Sequence, residues 1–453
     1  MDAENTIGGG TIMDSTIKNA RSHESTKARD ATVAVLTELL GPPETWHVAA
    51  RLWDGTCVGP SAPRTTVVLT HPWSLRSLLW PPNEVNAGET YIFGDVDVEG
   101  DIEGIFGMLD DLASLEWRRP AVFVRLARGL LALPAPPSGR DPSRGATTTG
   151  ALHSRARDRA AVRYHYDVSN DFYAKWLDPK MQYSCGYFRS PDDALDVAQA
   201  AKVDHICRKL RLSEGDRLLD IGCGWGGLLE HAAVNYGVSG LGITLSEPQA
   251  EHANERLRKA GVADRARVEV SDYRDATGTF DKIVSVGMVE HVGEKMLRPY
   301  FAQAFRLLEP GGVFLNHGIT TTWEGRGPLR RGSFLGRYVF PDGELQPVSI
   351  VLGAAEAEGF EVRDVESLRE HYARTLRHWV SNIEAAHDAV VAETDEVTYR
   401  IWRLYMAGSA HGFHSGGLNV FQSLLHRPCG GPSHLPPTRE DWYAPAASDR
   451  KPS

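Results

Sequence analysis

One glycine-rich turn constrains the fold of this chain more than any other feature. The segment DIGCGWGG, from Asp220 to Gly227, ends a leucine-rich, strand-like run and opens a helical pattern. Glycines at positions 222, 224 and 226 let the backbone approach a ligand where a Cβ atom would collide. The turn therefore predicts a strand–turn–helix unit with a binding site where the helix begins.

Strands and helices are predicted to alternate beyond Tyr164. The runs SGLGITL, ARVEV, DKIVSVG and GVFLNHG are strand-like, and residues 226–236, 246–261 and 294–308 have helical spacing. This alternation is typical of a doubly wound, Rossmann-like parallel sheet, whose ligands bind beyond the carboxyl ends of the strands. We predict an α/β catalytic domain over residues 161–430.

The rest of the chain is predicted to contain a smaller α+β domain and less ordered segments. Residues 31–133 combine the helical pattern ATVAVLTELLG with the strand-like runs HVAARLWDG and RTTVVLTH. We predict a disordered lead-in over residues 1–30, a linker rich in proline and glycine over 134–160, and a carboxyl-terminal tail over 431–453.

Composition excludes several classes of protein. The formal net charge of -10 argues against nucleic acid as the main partner. The five cysteines are odd in number and show no CxxC spacing, which argues against a disulfide framework or a zinc ribbon and favours a reducing cytoplasm. No acid or cysteine lies near His411 and His414, so no metal site is predicted. Without a signal-peptide pattern or a long apolar run, we expect neither secretion by that route nor a membrane span.

A basic segment runs through the middle of this acidic chain. Ten arginines lie from Arg118 to Arg163 against Asp141 and Asp158, a local charge of +8. A surface of this kind fits an anionic membrane, at about 1 kcal/mol per well-placed basic residue. A solvated linker with an arginine bias is the alternative.

The glycine-rich turn on its own fits either a dinucleotide or S-adenosylmethionine. A dinucleotide enzyme usually places an acid at the end of the second strand, to hold a ribose hydroxyl. Here that strand ends with Thr244 and Leu245, whereas Asp272 and Tyr273 follow the third strand, where an adenine ring would lie. This pattern favours S-adenosylmethionine, although the glycines could also serve only to pack a tight turn.

Several longer motifs resemble the cyclopropane-fatty-acyl-phospholipid synthase family. They are YHYDVSNDFYAKWLDPKMQYSCGYF (164–188), DIGCGWGG, SVGMVEHVG (285–293), FLNHGI (314–319) and RYVFPDGELQPVS (337–349). Residues 40–130 are also similar to that family's amino-terminal lipid-handling domain, which relatives acting on mycolic acids lack. The resemblance implies a class I methyltransferase that adds a methylene unit to the cis double bond of an unsaturated acyl chain in a membrane phospholipid, giving a cyclopropane. A methylene- or methyl-branched product is the alternative.

The resemblance also implies roles for individual residues. Those implied to bind S-adenosylmethionine are Tyr183, Ser184, Gly222, Gly224, Thr244, Leu245, Gln249, Asp272 and Tyr273. A bicarbonate ion is implied as the proton acceptor, held by Cys185, Glu290, His317, the backbone of Ile319, and Tyr372. The family more often has threonine where this chain has Gly318. A homodimer located at the inner face of the cell membrane, on its cytoplasmic side, is also expected.

Each of these roles has a structural alternative. Cys185 is equally suited to be a small buried apolar residue, Glu290 to cap a helix, and His317 to lie in the core with its ring hydrogen-bonded to the backbone. Aromatic faces stabilise a developing cation, and Tyr166, Phe172, Tyr173 and Tyr187 are candidates for such a lining as well as for core packing. A lipid-binding protein without activity, and a methyltransferase acting on oxygen or nitrogen, are the competing functions.

Overall fold

The structure is a computed structural model that describes residues 10–114, 120–137, 144–146, 149–166, 168–325, 327–328 and 333–443. The chain divides into two compact units, Met1–Ser143 and Arg144–Ser453. The boundary between them falls inside the predicted linker 134–160.

The first unit is a small α+β structure around a four-stranded sheet with the spatial order β2-β1-β3-β4. Its strands are β1 (Ala49–Arg51), β2 (Cys57–Val58), β3 (Thr65–Leu69) and β4 (Val96–Gly100). Its helices are α1 (Gly10–Leu40), α2 (Ser74–Leu79), α3 (Glu84–Ile92), α4 (Gly104–Ser114) and α5 (Pro120–Ala132). β1 and β3 are parallel, and the other neighbouring strands are antiparallel.

Helix α1 corrects the predicted disorder of residues 1–30, because it begins at Gly10; residues 1–9 lie outside the described part. Ala28, Thr32, Val35 and Leu36 are buried at spacings of three or four, as on one helical face. This face packs against α5. The apolar periodicity assigned to ATVAVLTELLG thus begins before residue 31 and continues a longer helix.

The second unit is built on a seven-stranded sheet with the order β12-β13-β9-β8-β5-β6-β7. The strands are β5 (Arg217–Ile221), β6 (Ser239–Thr244), β7 (Ala266–Val270), β8 (Phe280–Val286), β9 (Leu308–Thr321), β12 (Glu361–Ser367) and β13 (Leu418–His426). β5 to β9 are parallel, but β13 runs antiparallel to both β9 and β12. The predicted doubly wound, Rossmann-like sheet is present, although it is mixed rather than wholly parallel.

Helices cover both faces of this sheet. They are α6 (Arg155–Tyr166), α7 (Asn170–Ala174), α8 (Leu195–Leu210), α9 (Gly227–Tyr236), α10 (Glu247–Lys259), α11 (Glu294–Leu307), α12 (Phe334–Tyr338), α13 (Val348–Ala357), α14 (Arg369–Ala385), α15 (His387–Glu393), α16 (Glu396–Ser415) and α17 (Glu440–Tyr443). A short hairpin pairs β10 (Gly327–Pro328) with β11 (Glu344–Leu345). Within the described residues, no helix has the length and apolar character needed to cross a bilayer.

Alternate residues of the central strands pack into two separate hydrophobic cores, one on each face of the sheet. Leu218 of β5 and Val284 of β8 belong to one cluster, whereas Leu219 and Ile283 belong to the other. Successive side chains of a strand point to opposite faces, so a sheet that is apolar at every position must be covered on both sides.

The linker predicted to end at residue 160 ends earlier, because α6 begins at Arg155. Arg157 is buried, and its guanidinium donates to both carboxylate oxygens of Asp342, at 2.5 Å each. A bidentate pair of this kind fixes α6 to the catalytic unit. Arg157 is therefore a structural residue and is not part of a solvated basic surface.

The predicted tail from residue 431 also contains an ordered part. Trp442 on α17 is only 5% exposed and joins the core cluster that contains Leu218. Cationic side chains lie over its ring, with Lys209 and Arg211 each 5.4 Å from the ring centroid. Trp442 thus helps to attach this polar segment to the second unit, together with the ion pairs Arg211–Asp441 and Arg439–Asp364.

Trp442→Ala should lower the free energy of unfolding by about 3 kcal/mol, because it removes a buried aromatic ring and leaves a cavity. The neighbouring Tyr443 is 56% exposed, so Tyr443→Ala should change the free energy of unfolding by less than about 1 kcal/mol. Denaturant unfolding of both variants measures the difference. Equal effects would mean that Trp442 does not anchor the tail.

Candidate active site

The glycine-rich turn joins β5 to α9 through left-handed backbone. Gly222, Gly224 and Gly226 have φ angles of 80°, 53° and 75°. A Cβ atom at Gly226 would lie 2.8 Å from the Cβ of Ala253, so no side chain fits there. β5 has β6 on one side and β8 on the other, which makes it the point where strand order reverses. Doubly wound sheets bind their ligands at this point.

A cavity with an empty volume of about 1250 Å³, mouth included, opens at the carboxyl ends of β5, β6 and β8. All nine residues predicted to contact the cofactor line it: Tyr183, Ser184, Gly222, Gly224, Thr244, Leu245, Gln249, Asp272 and Tyr273. The fold therefore gathers residues from five separate segments around one cavity.

Two polar pairs shape the far end of this cavity. The side chains of Thr244 and Gln249 are hydrogen-bonded at 2.8 Å. Burial raises the pKa of the Asp272 carboxyl, but hydrogen bonds from the side chain and backbone of Arg274 outweigh it, and the pKa falls below its ordinary value. Arg274 also pairs with Asp158 at 3.1 Å. Asp272 is thus ionised and already paired, which sequence reasoning did not foresee.

Further lining residues were missed by the sequence analysis. They include Lys202, Asp220, Trp225, Arg274 and His291. His291 follows Glu290 directly, and this adjacency could have revealed it. Lys202 lies within a helix whose pattern otherwise indicates core packing, and no local motif distinguishes it.

The five residues predicted to hold a proton-accepting anion come from four parts of the chain. Cys185 precedes α8, Glu290 lies in the 3-10 turn Val289–His291, His317 and Ile319 are on β9, and Tyr372 is in the first turns of α14. None of the five lines the cofactor cavity, although residues adjacent to Cys185 and Glu290 do. Cys185 and Glu290 are therefore adjacent in sequence to residues that line the cofactor cavity, but the residues predicted to hold the anion do not line that cavity themselves.

Glu290 and Ile319 are in direct contact. The backbone N–H of Ile319 donates to Oε1 of Glu290 at 2.6 Å, while Oε2 is buried and has no partner among the described residues. Burial raises the pKa of Glu290 to about 7, although the Ile319 N–H opposes the shift. The predicted role of Ile319 as a direct ligand of an anion must therefore compete with this hydrogen bond.

His317 is buried and neutral. Its Nδ1 lies 3.2 Å from Nε2 of Gln422 on the adjacent β13, and its Nε2 has no partner in the described structure. Burial, together with the charges of Lys202 and Lys209, lowers the pKa of the ring to about 3. An uncharged ring nitrogen is therefore available for a ligand.

Cys185 and Tyr372 complete this second group. Burial raises the pKa of the Cys185 thiol well above its ordinary value, which keeps it protonated. Burial also raises the pKa of Tyr372, and Tyr405, Cys185 and Glu290 raise it further. Protonated thiol and phenol groups are hydrogen-bond donors, and the Cys185 thiol already donates to the backbone oxygens of Gly186 and Leu368, at 3.3 and 3.6 Å.

The glycine that replaces the family's usual threonine has a steric cause. A Cβ atom at Gly318 would lie 2.2 Å from Cγ1 of Val289. Val289 is buried and precedes Glu290. The absent side chain at 318 thus makes room for Val289, and the β9 backbone still reaches Glu290 through Ile319.

A dense aromatic cluster surrounds Tyr183. Tyr166 and Tyr173, two of the predicted cation-lining residues, lie 6.1 and 5.7 Å from its ring centroid, and its hydroxyl is 3.2 Å from that of Tyr405. Trp402 lies 6.1 Å away. Tyr405 and Trp402 were missed, because on α16 their spacing of three also indicates core packing.

The other two aromatic candidates take different positions. Phe172 packs against Trp176 and Trp402, as a core residue does. Tyr187 stacks between His205 and His371, at 4.4 and 5.0 Å. Because none of its ring contacts is to the cluster around Tyr183, the cation-lining interpretation of Tyr187 is not supported.

The described residues contain no cluster of three or more histidine, cysteine or acidic side chains that could hold a metal ion. His411 and His414 lie in the last turns of α16.

Known proteins share both the sequence and the fold. A family model described as mycolic acid cyclopropane synthetase matches residues 153–423. A "Probable fatty acid methyltransferase" of Pseudomonas putida is 43% identical over 400 residues, 87% of this chain and 95% of its own. The cyclopropane-fatty-acyl-phospholipid synthase of Escherichia coli is 38% identical, over 61% of this chain and 70% of its own. The mycolic acid cyclopropane synthase CmaA1, solved with SAH and CTAB, is 35% identical with a TM-score of 0.56, covering 59% of this chain and 98% of that protein.

Glu290 should make stability depend on pH. Its pKa in the folded chain, about 7, exceeds the ordinary value of 4.5, so the folded state holds the proton more tightly than the unfolded state. Stability is then lost as the pH rises from 4.5 to 7, by up to roughly 3 kcal/mol. Glu290→Gln, which mimics the protonated form, should be more stable than the parent at pH 8 and equal to it near pH 4.5.

Denaturant unfolding followed by tryptophan fluorescence at both pH values measures this difference. Glu324→Gln, at an exposed position, is the matched control and should show no pH-dependent gain. A gain for Glu290→Gln that is the same at both pH values would contradict the buried, unpaired carboxyl.

Proposed function

Because the chain belongs to the mycolic acid cyclopropane synthetase family of S-adenosylmethionine-dependent methyltransferases, we propose that it acts on the cis double bond of an unsaturated acyl chain in a membrane phospholipid and forms a cyclopropane. The observation that carries this proposal is the pair of buried atoms without a partner among the described residues, Glu290 Oε2 and His317 Nε2. Glu290 lies in the turn whose His291 lines the cofactor cavity. An alkene has no acidic proton, so its methylation needs a separate base to finish the reaction.

When bound, S-adenosylmethionine supplies a methyl group: the alkene π electrons form the new C–C bond, the C–S pair stays on sulfur, and a carbocation remains on the second alkene carbon. The chain must exclude water from this cation, since water would capture it. The rings of Tyr166, Tyr173 and Tyr183 present electron-rich faces suited to a cation. Their close packing also leaves little room for solvent.

We propose bicarbonate as the base that removes a proton from the added methyl group, so that the C–H electron pair closes the ring. The Cys185 thiol, the Tyr372 hydroxyl and the Nε2–H of the neutral His317 ring would donate to the bicarbonate ion. Glu290 Oε2 would accept the ion's own O–H. Ile319 joins this set only if Glu290 releases its N–H. That release would require a rotation of the Glu290 side chain.

The small α+β unit supports a phospholipid as the substrate. It contains residues 40–130, where the sequence is similar to a lipid-handling domain, and the E. coli relative's name specifies a fatty-acyl phospholipid. The Pseudomonas putida relative is named only as a fatty acid methyltransferase, which favours the alternative of a methyl-branched or methylene-branched product. A ring and an exocyclic methylene share the methyl transfer and differ in which proton is removed. A saturated methyl branch needs, in addition, reduction by a separate reductase.

Purified protein, S-adenosylmethionine and vesicles of a cis-unsaturated phospholipid should yield acyl chains heavier by one CH2 unit, measured by mass spectrometry. NMR then distinguishes a ring from an exocyclic methylene, and a saturated branch would be heavier by two more hydrogens. No mass increase with any unsaturated phospholipid would overturn the proposal.

Glu290→Gln is the matched variant for this assay. It should lower turnover roughly 100-fold or more, because the base loses its orienting acceptor, while affinity for S-adenosylhomocysteine stays nearly unchanged. Added bicarbonate should restore little activity. Loss of affinity for S-adenosylhomocysteine would show that Glu290 supports cofactor binding and not the base.

We further propose that the protein works at the cytoplasmic face of the cell membrane through helix α5. One side of α5 packs in the core of the first unit through Leu130. On its outward side Phe123, Val124 and Leu131 are 43%, 44% and 58% exposed, next to the exposed Arg128. An apolar stripe with a basic flank suits the interface of an anionic bilayer.

The wider basic segment, from Arg118 to Arg163, contributes less to the proposed membrane surface than its charge indicates. Arg125 pairs with Glu38 at 2.6 Å, Arg144 with Asp395 at 2.6 Å, and Arg155 with Asp275 at 2.6 Å. Arg118, Arg119 and Arg140 lie outside the described residues. The proposed membrane surface is therefore the α5 stripe with Arg128, rather than the whole segment from Arg118 to Arg163.

The combined variant Phe123→Ser, Leu131→Ser and Arg128→Gln should bind anionic vesicles at least about tenfold more weakly, since it removes two apolar anchors and a charge. Co-sedimentation with vesicles measures this binding, and activity on detergent-dispersed lipid should persist. Val234→Ser, at a 50% exposed position on α9, is the control and should bind as the parent does. Equal binding by both variants would exclude α5.

A further inference from the structure

A buried ammonium group lies at the glycine-turn end of the cofactor cavity. Lys202 on α8 lines the cavity, and none of its surface is exposed to solvent. Its Nζ donates to Oε1 of Gln182 at 2.6 Å and to Oγ of Ser184 at 2.9 Å. An ammonium group carries three N–H donors, so these two bonds leave one donor for a ligand.

No ion pair of the described residues includes Lys202. Burial lowers its pKa to about 8, while the charges of Asp178, Cys185 and Asp220 oppose that shift. Burial also raises the pKa of Asp220 to about 7. A buried charge without a hydrogen-bonded counter-ion is costly, and such a group is expected where a ligand brings the missing charge.

The other basic groups on the cavity wall are already satisfied or neutral. Arg274 pairs with Asp272 and Asp158 at the opposite end. Burial lowers the pKa of His291 to about 4, so its ring is uncharged near neutral pH. Among the described lining residues, Lys202 is therefore the cation without a carboxylate partner.

We propose that the Lys202 ammonium is the counter-charge for the α-carboxylate of the cofactor's methionine moiety. Of the cofactor's groups only this carboxylate is anionic, and a doubly wound sheet receives ligands beside its glycine-rich turn, where Lys202 lies. Ser184, a predicted contact of the cofactor, already accepts a hydrogen bond from Nζ. The inference rests on the use of S-adenosylmethionine and not on a lipid substrate.

A purely structural role for Lys202 has to be separated from this one. Gln199, one turn earlier on α8, donates to the backbone oxygens of Gln182 and Ser184 at 3.2 and 2.9 Å. Lys202 and Gln199 together hold the segment that carries Tyr183 and Cys185. Loss of this brace alone would weaken every ligand of the cavity equally, whatever its charge.

The test compares two ligands on matched variants by isothermal titration calorimetry. S-adenosylhomocysteine carries the carboxylate, and its primary carboxamide has the same shape without the charge. Lys202→Met should weaken S-adenosylhomocysteine at least about tenfold and the carboxamide less than about threefold. Gln199→Met, which breaks the brace but keeps the charge, should weaken both ligands by the same factor.

Equal weakening of both ligands by Lys202→Met would overturn the proposal and leave Lys202 as a brace, and so would unchanged binding of both. If Lys202→Met does not fold, as judged by circular dichroism, Lys202→Gln takes its place, because it keeps a hydrogen-bond donor near Ser184. The deciding quantity is again the weakening of S-adenosylhomocysteine binding relative to that of the carboxamide. Because no lipid is present, the result is independent of whether the protein alkylates phospholipids.

Discussion

The catalytic unit depends on keeping ionisable groups out of water. Burial holds Cys185 and His317 in their neutral forms and raises the pKa of Glu290 to about 7. These shifts share their largest cause, since a charge costs more in an apolar interior than in water. The methyl transfer proposed above needs surroundings without competing nucleophiles or strong fields, and neutral, hydrogen-bonding groups suit that need. The aromatic cluster around Tyr183 maintains the same exclusion of solvent.

The cofactor half of the site was predictable because its signals are local. A glycine-rich turn between a strand and a helix fixes its own backbone, and the ends of parallel strands meet at one edge, so Thr244 and Asp272 fell into the cavity as expected. The second half was reached by resemblance alone, since Cys185, Glu290, His317 and Tyr372 are far apart in sequence. Lys202, Trp402 and Tyr405 were missed, because on a helix a residue facing a cavity has the same spacing as one facing the core.

The segments predicted least well are polar stretches held by a few side chains. Residues 10–30, 155–160 and 440–443 have weak periodicity, yet Ala28, Arg157 and Trp442 are buried. A bidentate ion pair or one aromatic ring can fix such a segment, and neither leaves a repeating pattern in the sequence. The reversed direction of β13 escaped prediction for a related reason: strand direction depends on where the preceding helix delivers the chain, and composition does not record it.

The contact between Gly318 and Val289 has a consequence for how this chain and its relatives can diverge. A side chain at 318 has no room while Val289 keeps its Cγ1 methyl group 2.2 Å from the required Cβ position. Threonine at 318 therefore requires Val289 to turn this methyl group away or to be replaced by a smaller residue, because otherwise the two side chains overpack. The side chains that position 318 tolerates thus depend on the residue at 289.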